Sequence, residues 1–420
     1  MRHFVAVSAT LLSVLLVSPA IAQDGQPSPH HTVSQANETD NGTQHLPLIG
    51  MQIVIAGWIF VLGACFGSFL NVVIYRLPAG MSLGKPKSRC PRCETQLAVK
   101  DNIPVLGWLL LRGKCRYCDL PISPRYPIVE AVCGGVFLLL LFTELLSGAA
   151  NLPLRHPDHF HVNPGFWLVW FTKWDLSGIY LYHCCLLVVV LAIVMIGYDG
   201  HRPQRSLTAF GVLTALIAGV FFSELRPVPA LPWTSRMADL QWGFWWRDSI
   251  INPGSRYWAG VSLVGLLDGV IGLLVGHLAG CLIRWQMRSP EDSSASPQQA
   301  AIGSAMMVTG AFLGWQACGM LLLFVLPAMA GVKWIENLKP ESRLPQLIAP
   351  AFFGLLLAFI VFWQKLNDAP WMIGYQGWDL TSWNWIPDWL ATWAAMSAFG
   401  TLVRYGIRKK PDSNELHWKF

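Results

Sequence analysis

Residues 51–78 read MQIVIAGWIFVLGACFGSFLNVVIYRLP. No Asp, Glu, Lys or Arg interrupts 51–74, and about 20 such residues in a helix cross the ~30 Å of hydrocarbon in a bilayer. The stretch therefore predicts a membrane helix that closes on Arg76, where an interfacial cation belongs. Gly67 and Ser68 are small enough for helix backbones to approach closely, and Asn71 is placed to hydrogen-bond between helices. Outward from this segment, apolar runs recur at about 127–148, 176–198, 207–223, 258–284, 304–332, 346–364 and 388–405. The 304–332 run contains Gly310, Gly314, Gly319 and Pro327. It reads either as one tilted helix or as two short ones turning near Trp315-Gln316.

Composition agrees. Of 420 residues, 13% are charged and 53% hydrophobic, with 21 Trp; soluble domains carry about 25% charged residues. A disordered protein, a basic nucleic-acid-binding domain and a disulfide-stapled mini-protein are excluded. No nucleic-acid partner is expected, and the lipid bilayer is.

The N-terminal residues 1–22 have a basic start, an apolar stretch and an Ala-Ile-Ala ending, the pattern of a secretory signal peptide. Residues 23–48 are polar and without periodicity, a disordered extracytoplasmic leader. Asn37-Glu-Thr and Asn41-Gly-Thr match the glycosylation acceptor pattern. The segment 75–126 carries ten Lys/Arg against three acids, which places it in the cytoplasm. Counted from there, the basic tail Arg404, Arg408, Lys409 and Lys410 is also cytoplasmic if 304–332 makes two passes. The expectation is an all-α polytopic membrane protein of about nine transmembrane helices, with a small cytoplasmic insertion after the first. The domain plan is 51–148 for the first helix, the insertion and the second helix; 176–364 for a membrane core; and 365–420 for an extra Trp-rich helix and tail. Trp-dense stretches at 233–258 and 371–393 read as aromatic belts at the outer face.

Within the insertion, Cys90-Pro-Arg-Cys93 and Cys115-Arg-Tyr-Cys118 are two CxxC pairs separated by 21 residues. A two-residue spacer brings two thiolates from one turn to a single ion, and two such turns close a tetrahedral zinc shell. Neighbouring cations favour the thiolates and offset their charge, and a cytoplasmic location disfavours disulfides. The four cysteines leave no open ligand position, so the zinc is expected to hold the fold. The other six cysteines, all in apolar runs, read as core packing.

These residues have a familiar order. Gly67-Ser-Phe-Leu-Asn-Val-Val-Ile-Tyr-Arg-Leu-Pro78 closes the first helix, Asn102-Ile-Pro-Val-Leu-Gly-Trp108 lies between the CxxC pairs, and Ser123-Pro-Arg-Tyr-Pro-Ile-Val-Glu130 opens the second helix. This resembles the type IV prepilin peptidases, GxGD-type membrane aspartic peptidases of type IV pilus and type II secretion systems. The resemblance implies an inner-membrane endopeptidase that trims leaders from prepilin or pseudopilin precursors at the cytoplasmic face. It also implies pilin-like helices as partners, and N-methylation from S-adenosylmethionine where that activity is retained. Nothing in the chain resembles a Rossmann glycine fingerprint, so methylation rests on the resemblance.

An aspartic peptidase needs two carboxylates whose proximity pushes their pKa values apart. The resemblance assigns the first to Asp199, in Gly197-Tyr-Asp-Gly-His-Arg-Pro203 at the end of the 176–198 run. Gly310-Ala-Phe-Leu-Gly-Trp-Gln316 resembles the stretch that follows the family's Gly-x-Gly-Asp by about two turns. Eight residues before Gly310 stands Ile302, with Ser304 where a Lys is customary, and the chain contains no Gly-x-Gly-Asp. Glu291 and Asp292, in a polar loop about ten residues before Ile302, are the candidate replacements. Asp268 is intramembrane but about 16 residues, roughly 24 Å, from the cytoplasmic end of its helix, too deep to meet Asp199. His277 is expected on the same helical side as Asp268. The alternative to the enzyme is a catalytically degenerate relative that binds pilin-like helices or assembly partners. A transporter is disfavoured, because no inverted repeat or chain of paired intramembrane charges is visible.

Overall fold

The computed structural model describes residues 45–153 except 86, 87 and 91, then 174–222, 225–226, 241–247, 256–287, 295–338 and 344–367. Its helices are α1 His45–Arg76, α2 Arg125–Leu140, α3 Trp174–Tyr198, α4 Arg205–Phe221, α5 Leu263–Met287, α6 Pro297–Leu313, α7 Trp315–Leu338 and α8 Ile348–Asn367. A π-turn over Leu141–Leu145 extends α2. Among the described residues six helices are long and apolar enough to cross a membrane, and α4 is a shorter apolar helix. The chain is therefore a helical multi-pass membrane protein, as composition requires. The count of nine is not reached among the described residues: the 388–405 run lies outside them, as do the signal peptide, residues 23–44 of the leader and the basic tail. α1 starts at His45, so 45–48 belong to the helix and not to the leader.

The 304–332 run is two helices, broken at Gly314, whose φ of 90° only glycine adopts freely. The 258–284 run opens as a strand. Strands β1 Gln241–Arg247 and β2 Arg256–Ser262 pair antiparallel, with Gln241 opposite Ser262 and Arg247 opposite Arg256. Part of the Trp-dense stretch is thus a hairpin added to the helical fold, in keeping with the strand preference of aromatic residues.

α1 and α2 form an antiparallel pair held by small residues. A Cβ at Gly67 would lie 2.7 Å from the Glu130 Cα, and one at Gly63 would press into Phe137. Asn71 Nδ2 donates to the Tyr126 carbonyl at 3.1 Å, the interhelical bond expected of it. α3 is the central helix: 83% of its span is buried, against 22% of the α1 span. α5 and α6 run antiparallel in backbone contact, Gly272 against Gly310, Gly276 against Met306 and Gly280 against Gly303.

Two buried polar features tie the far end of the bundle, away from the cysteine pairs. His183 Nδ1 meets Glu144 Oε1 at 2.7 Å, both side chains closed to solvent. Arg226 is buried where α4, α5 and α6 meet, with its guanidinium donating to the carbonyls of Ala215, Gly265 and Ala311 at 2.7–3.2 Å. Ala311 lies in the last turn of α6, whose carbonyls lack helical donors. Gly219 and Gly269 leave the space that Arg226 fills.

Candidate active site and metal centre

The two cysteine pairs fold as a repeated knuckle. Cys90 accepts from the Glu94 N–H and donates its own to Thr95, and Cys115 relates identically to Asp119 and Leu120. Glu94 and Asp119 take the left-handed conformation at φ 53° and 55°. Bridges Arg89–Gln96 and Lys114–Pro121 close the two turns. The sulfurs of Cys90, Cys93, Cys115 and Cys118 all lie within 4.8 Å of one another, Cys90 and Cys118 at 3.6 Å. A Zn–S bond of about 2.3 Å gives tetrahedral S···S edges of roughly 3.8 Å, so this donor set fits zinc. Hydrogen bonds from the Cys93 and Arg92 backbone hold the Cys90 thiol below its usual range. Bonds from Thr95 bring Cys93 down to about 6. Both effects favour the thiolates a metal needs. Bound zinc would supply a closed structural shell and no catalysis.

Asp101 anchors the second knuckle to the segment between the pairs. Arg116 Nε donates to both its oxygens at 3.0 and 3.1 Å, with a further contact from Nη2. The guanidinium holds the Asp101 carboxyl below the ordinary carboxylate range.

Asp199 follows directly on α3. Its Oδ2 accepts from Arg125 Nη2 at 2.6 Å, and its side chain is 24% exposed. Burial pushes its carboxyl above the usual range, while Arg125 and His201 pull the other way. The first turn of α6 lies beside it: a Cβ at Gly197 would sit 2.4 Å from the Ala301 Cβ. The structure thus brings together the Asp199 end of α3 and the start of α6. At the α6 end, however, the side chains are Ala301 and Ile302, both fully buried.

The start of α6 is fixed by a capping box. The Gln299 N–H donates to Ser296 Oγ, and the Ser296 N–H to Gln299 Oε1. Gln299 Nε2 also donates to the Met287 carbonyl, so the end of α5 and the start of α6 adjoin. Arg202, three residues past Asp199, donates to the Ala295 carbonyl at 3.0 Å. Glu291 and Asp292 lie outside the described residues, in the loop that these contacts bracket.

Asp268 is buried one residue from Gly269, which packs on Arg226. It therefore belongs to the far end, separated from Asp199 as its sequence position implies. His277 does not share its side: it is exposed, beside Cys281 at 3.7 Å, and Arg284 donates to the same sulfur at 2.9 Å. Nine residues turn an α-helix through two and a half turns, which separates the two faces. Arg125 and Glu130 carry no role in the sequence taken alone. Both stand in the Ser123–Glu130 motif, but only the fold pairs Arg125 with Asp199.

A family model described as "Bacterial Peptidase A24 N-terminal domain" matches residues 61–144. A prepilin leader peptidase/N-methyltransferase of Stutzerimonas stutzeri is 44% identical over 315 residues, covering 69% of this chain and 84% of the relative. One from Klebsiella pneumoniae is 28% identical over 279 residues, covering 64% and 90%. One from Myxococcus xanthus reaches 54% over 88 residues, 21% of this chain and 26% of the relative. No solved structure gives a significant match.

Proposed function

Because the chain belongs to the type IV prepilin peptidase family, we propose that it is a membrane aspartic endopeptidase that cleaves the leaders of type IV prepilin or pseudopilin precursors. Asp199 is one carboxylate of the site, and Glu291 or Asp292 supplies the other. The observation that carries this reading is the meeting of the Asp199 end of α3 with the capped start of α6. The bond from Arg202 to Ala295 adds to it. Asp292 is three residues from Ala295, a reach of roughly 10 Å of extended chain.

The roles follow from charge. Arg125 favours the ionised form of Asp199, so Asp199 is the base that takes a proton from the attacking water. The raised pKa brings that base nearer to neutral pH, where a general base works best. The second acid must then be protonated and donate to the scissile carbonyl. The knuckle end, rich in Lys and Arg, faces the cytoplasm of an inner membrane by the positive-inside rule. Zinc is held by the four cysteines. Methylation with S-adenosylmethionine enters through the relatives' names alone.

A second reading is favoured by Ala301 and Ile302 standing where an acid is needed: a non-catalytic relative that binds pilin-like helices during assembly. Co-expression with a pilin-like precursor from the same genome separates the two. Cleavage by the native chain, lost in Asp199→Asn and in Glu291→Gln or Asp292→Asn, supports the enzyme. Unprocessed precursor with the native chain, still co-purifying with it, overturns the enzyme in favour of the binder.

A further inference from the structure

Between the two cysteine pairs, four apolar side chains face outward: Ile103 is 42% exposed, Leu106 55%, Leu109 54% and Leu110 74%. They form one turn and a one-turn helix, Leu106–Leu110. A water-facing domain of this size rarely clusters four such side chains without a partner.

Their depth identifies the partner. The Val105 N–H donates to Glu130 Oε2 at 2.7 Å. Glu130 is five residues into α2, roughly 7 Å along its axis, and helical side chains lean toward the N-terminus. The turn at Val105 therefore sits near the level of Tyr126, which bonds Asn71. Asn71 is itself five residues, again roughly 7 Å, short of Arg76 at the end of α1. The turn thus lies below the end of α1, inside the slab that the two helices span. Side chains exposed there meet the same medium as Phe69 of α1, 54% exposed in a span that carries no charge before Arg76. Arg112 and Lys114, both exposed, follow directly on the leucines. Apolar side chains backed by cations are the pattern of an interfacial segment on an anionic leaflet.

We propose that residues 103–110 form a monotopic wedge inserted into the leaflet on the knuckle side. Its leucines lie among acyl chains, and Arg112 and Lys114 lie at the phosphates of anionic phospholipid. This extends the membrane contact from the helices to the zinc domain, whose orientation over Asp199 the lipid then helps to fix.

The test uses the full chain in vesicles of phosphatidylglycerol and phosphatidylcholine, with a diazirine-bearing leucine analogue in place of Leu110. The same probe replaces Phe69 as a lipid-facing reference and Glu94 as an aqueous one. Zinc content confirms in each case that the knuckle is folded. After irradiation, lipid adducts at 110 comparable to those at 69, and absent at 94, support the wedge. In Arg112→Gln/Lys114→Gln the phosphatidylglycerol share of the adducts at 110 should fall several-fold. Adducts at 69 without any at 110, cross-links from 110 to polypeptide, or an unchanged phosphatidylglycerol share in the double variant would overturn the proposal.

Discussion

Arg125, the first residue of α2, donates a 2.6 Å hydrogen bond to Asp199, the residue that follows α3. The two are 74 residues apart in sequence, so the contact is a product of the fold. It joins the motif that opens the second helix to the carboxylate that we propose as one of the catalytic pair.

Arg125→Gln tests that coupling. Burial raises the Asp199 pKa and Arg125 opposes it; removing the cation leaves burial opposed by His201 alone, so the pKa rises further. A base is lost as pH falls through its pKa, so the acid limb of leader processing should move to higher pH. For each pH unit that the limb moves, processing on its acid side should drop on the order of tenfold, and it should recover at alkaline pH. Arg125→Lys, which keeps the charge but not the fork, should restore part of the rate. An acid limb that stays in place in Arg125→Gln would show that the pair does not govern ionisation.

The zinc site is tested by Cys90→Ser and Cys115→Ser, one in each knuckle. The native chain should carry about one zinc, and each variant should lose it together with protease resistance in the 89–121 region. Cys133→Ser, at a buried helix cysteine outside the cluster, should keep the metal. Retention of zinc after both knuckle substitutions would refute the assignment.

The features behind these tests differ in how legible they are in the sequence. Period and composition are enough for the helices, and spacing alone foretells the cysteine cluster, because a CxxC turn is a local structure. The hairpin over 241–262 is not legible: its Trp and Tyr suit a strand and a membrane interface equally. The opposed faces of Asp268 and His277 follow from a separation of two and a half turns, which apolar patterning on its own does not mark. Arg125 with Asp199, and Glu130 with Val105, are long-range contacts whose polar partners carry no periodic signal. The absence of a Gly-x-Gly-Asp motif is legible in the sequence, and the structure adds that Ala301, at the start of α6, packs against Gly197.

Gly310→Ala probes the contact that sets the α6 register. Its Cβ would lie 2.1 Å from the Gly272 carbonyl oxygen and 3.0 Å from the Gly276 Cα. Backbone cannot yield as a side chain can, so α5 and α6 must separate. Overpacking of this kind costs about 1–3 kcal/mol, seen as a lowered Tm in detergent. Gly354→Ala has open space around its Cβ and should leave Tm unchanged or slightly raised. Equal Tm values for the two variants would mean that the α5–α6 contact is looser than the structure shows.

Val105 sits at φ 62° and ψ −54°, and the Leu106 N–H closes a three-residue turn onto the Pro104 carbonyl at 2.6 Å. A β-branched residue in this conformation carries strain of about 1–3 kcal/mol. The bond from its N–H to Glu130 helps to hold it there. Glu130→Ala removes the acceptor and leaves that N–H unpaired, a further cost of about 1–3 kcal/mol. Hydrogen exchange at Val105 and Leu106 should then quicken roughly 5- to 150-fold, while the α2 amides beyond Glu130 keep their protection. Val105→Gly removes the strain at its source, because glycine adopts positive φ freely. It should therefore leave Tm unchanged or raise it, and in the Glu130→Ala background it should recover part of the lost stability. A fall in Tm for Val105→Gly alone would mean that the Val105 side chain contributes more by packing than its backbone costs in strain.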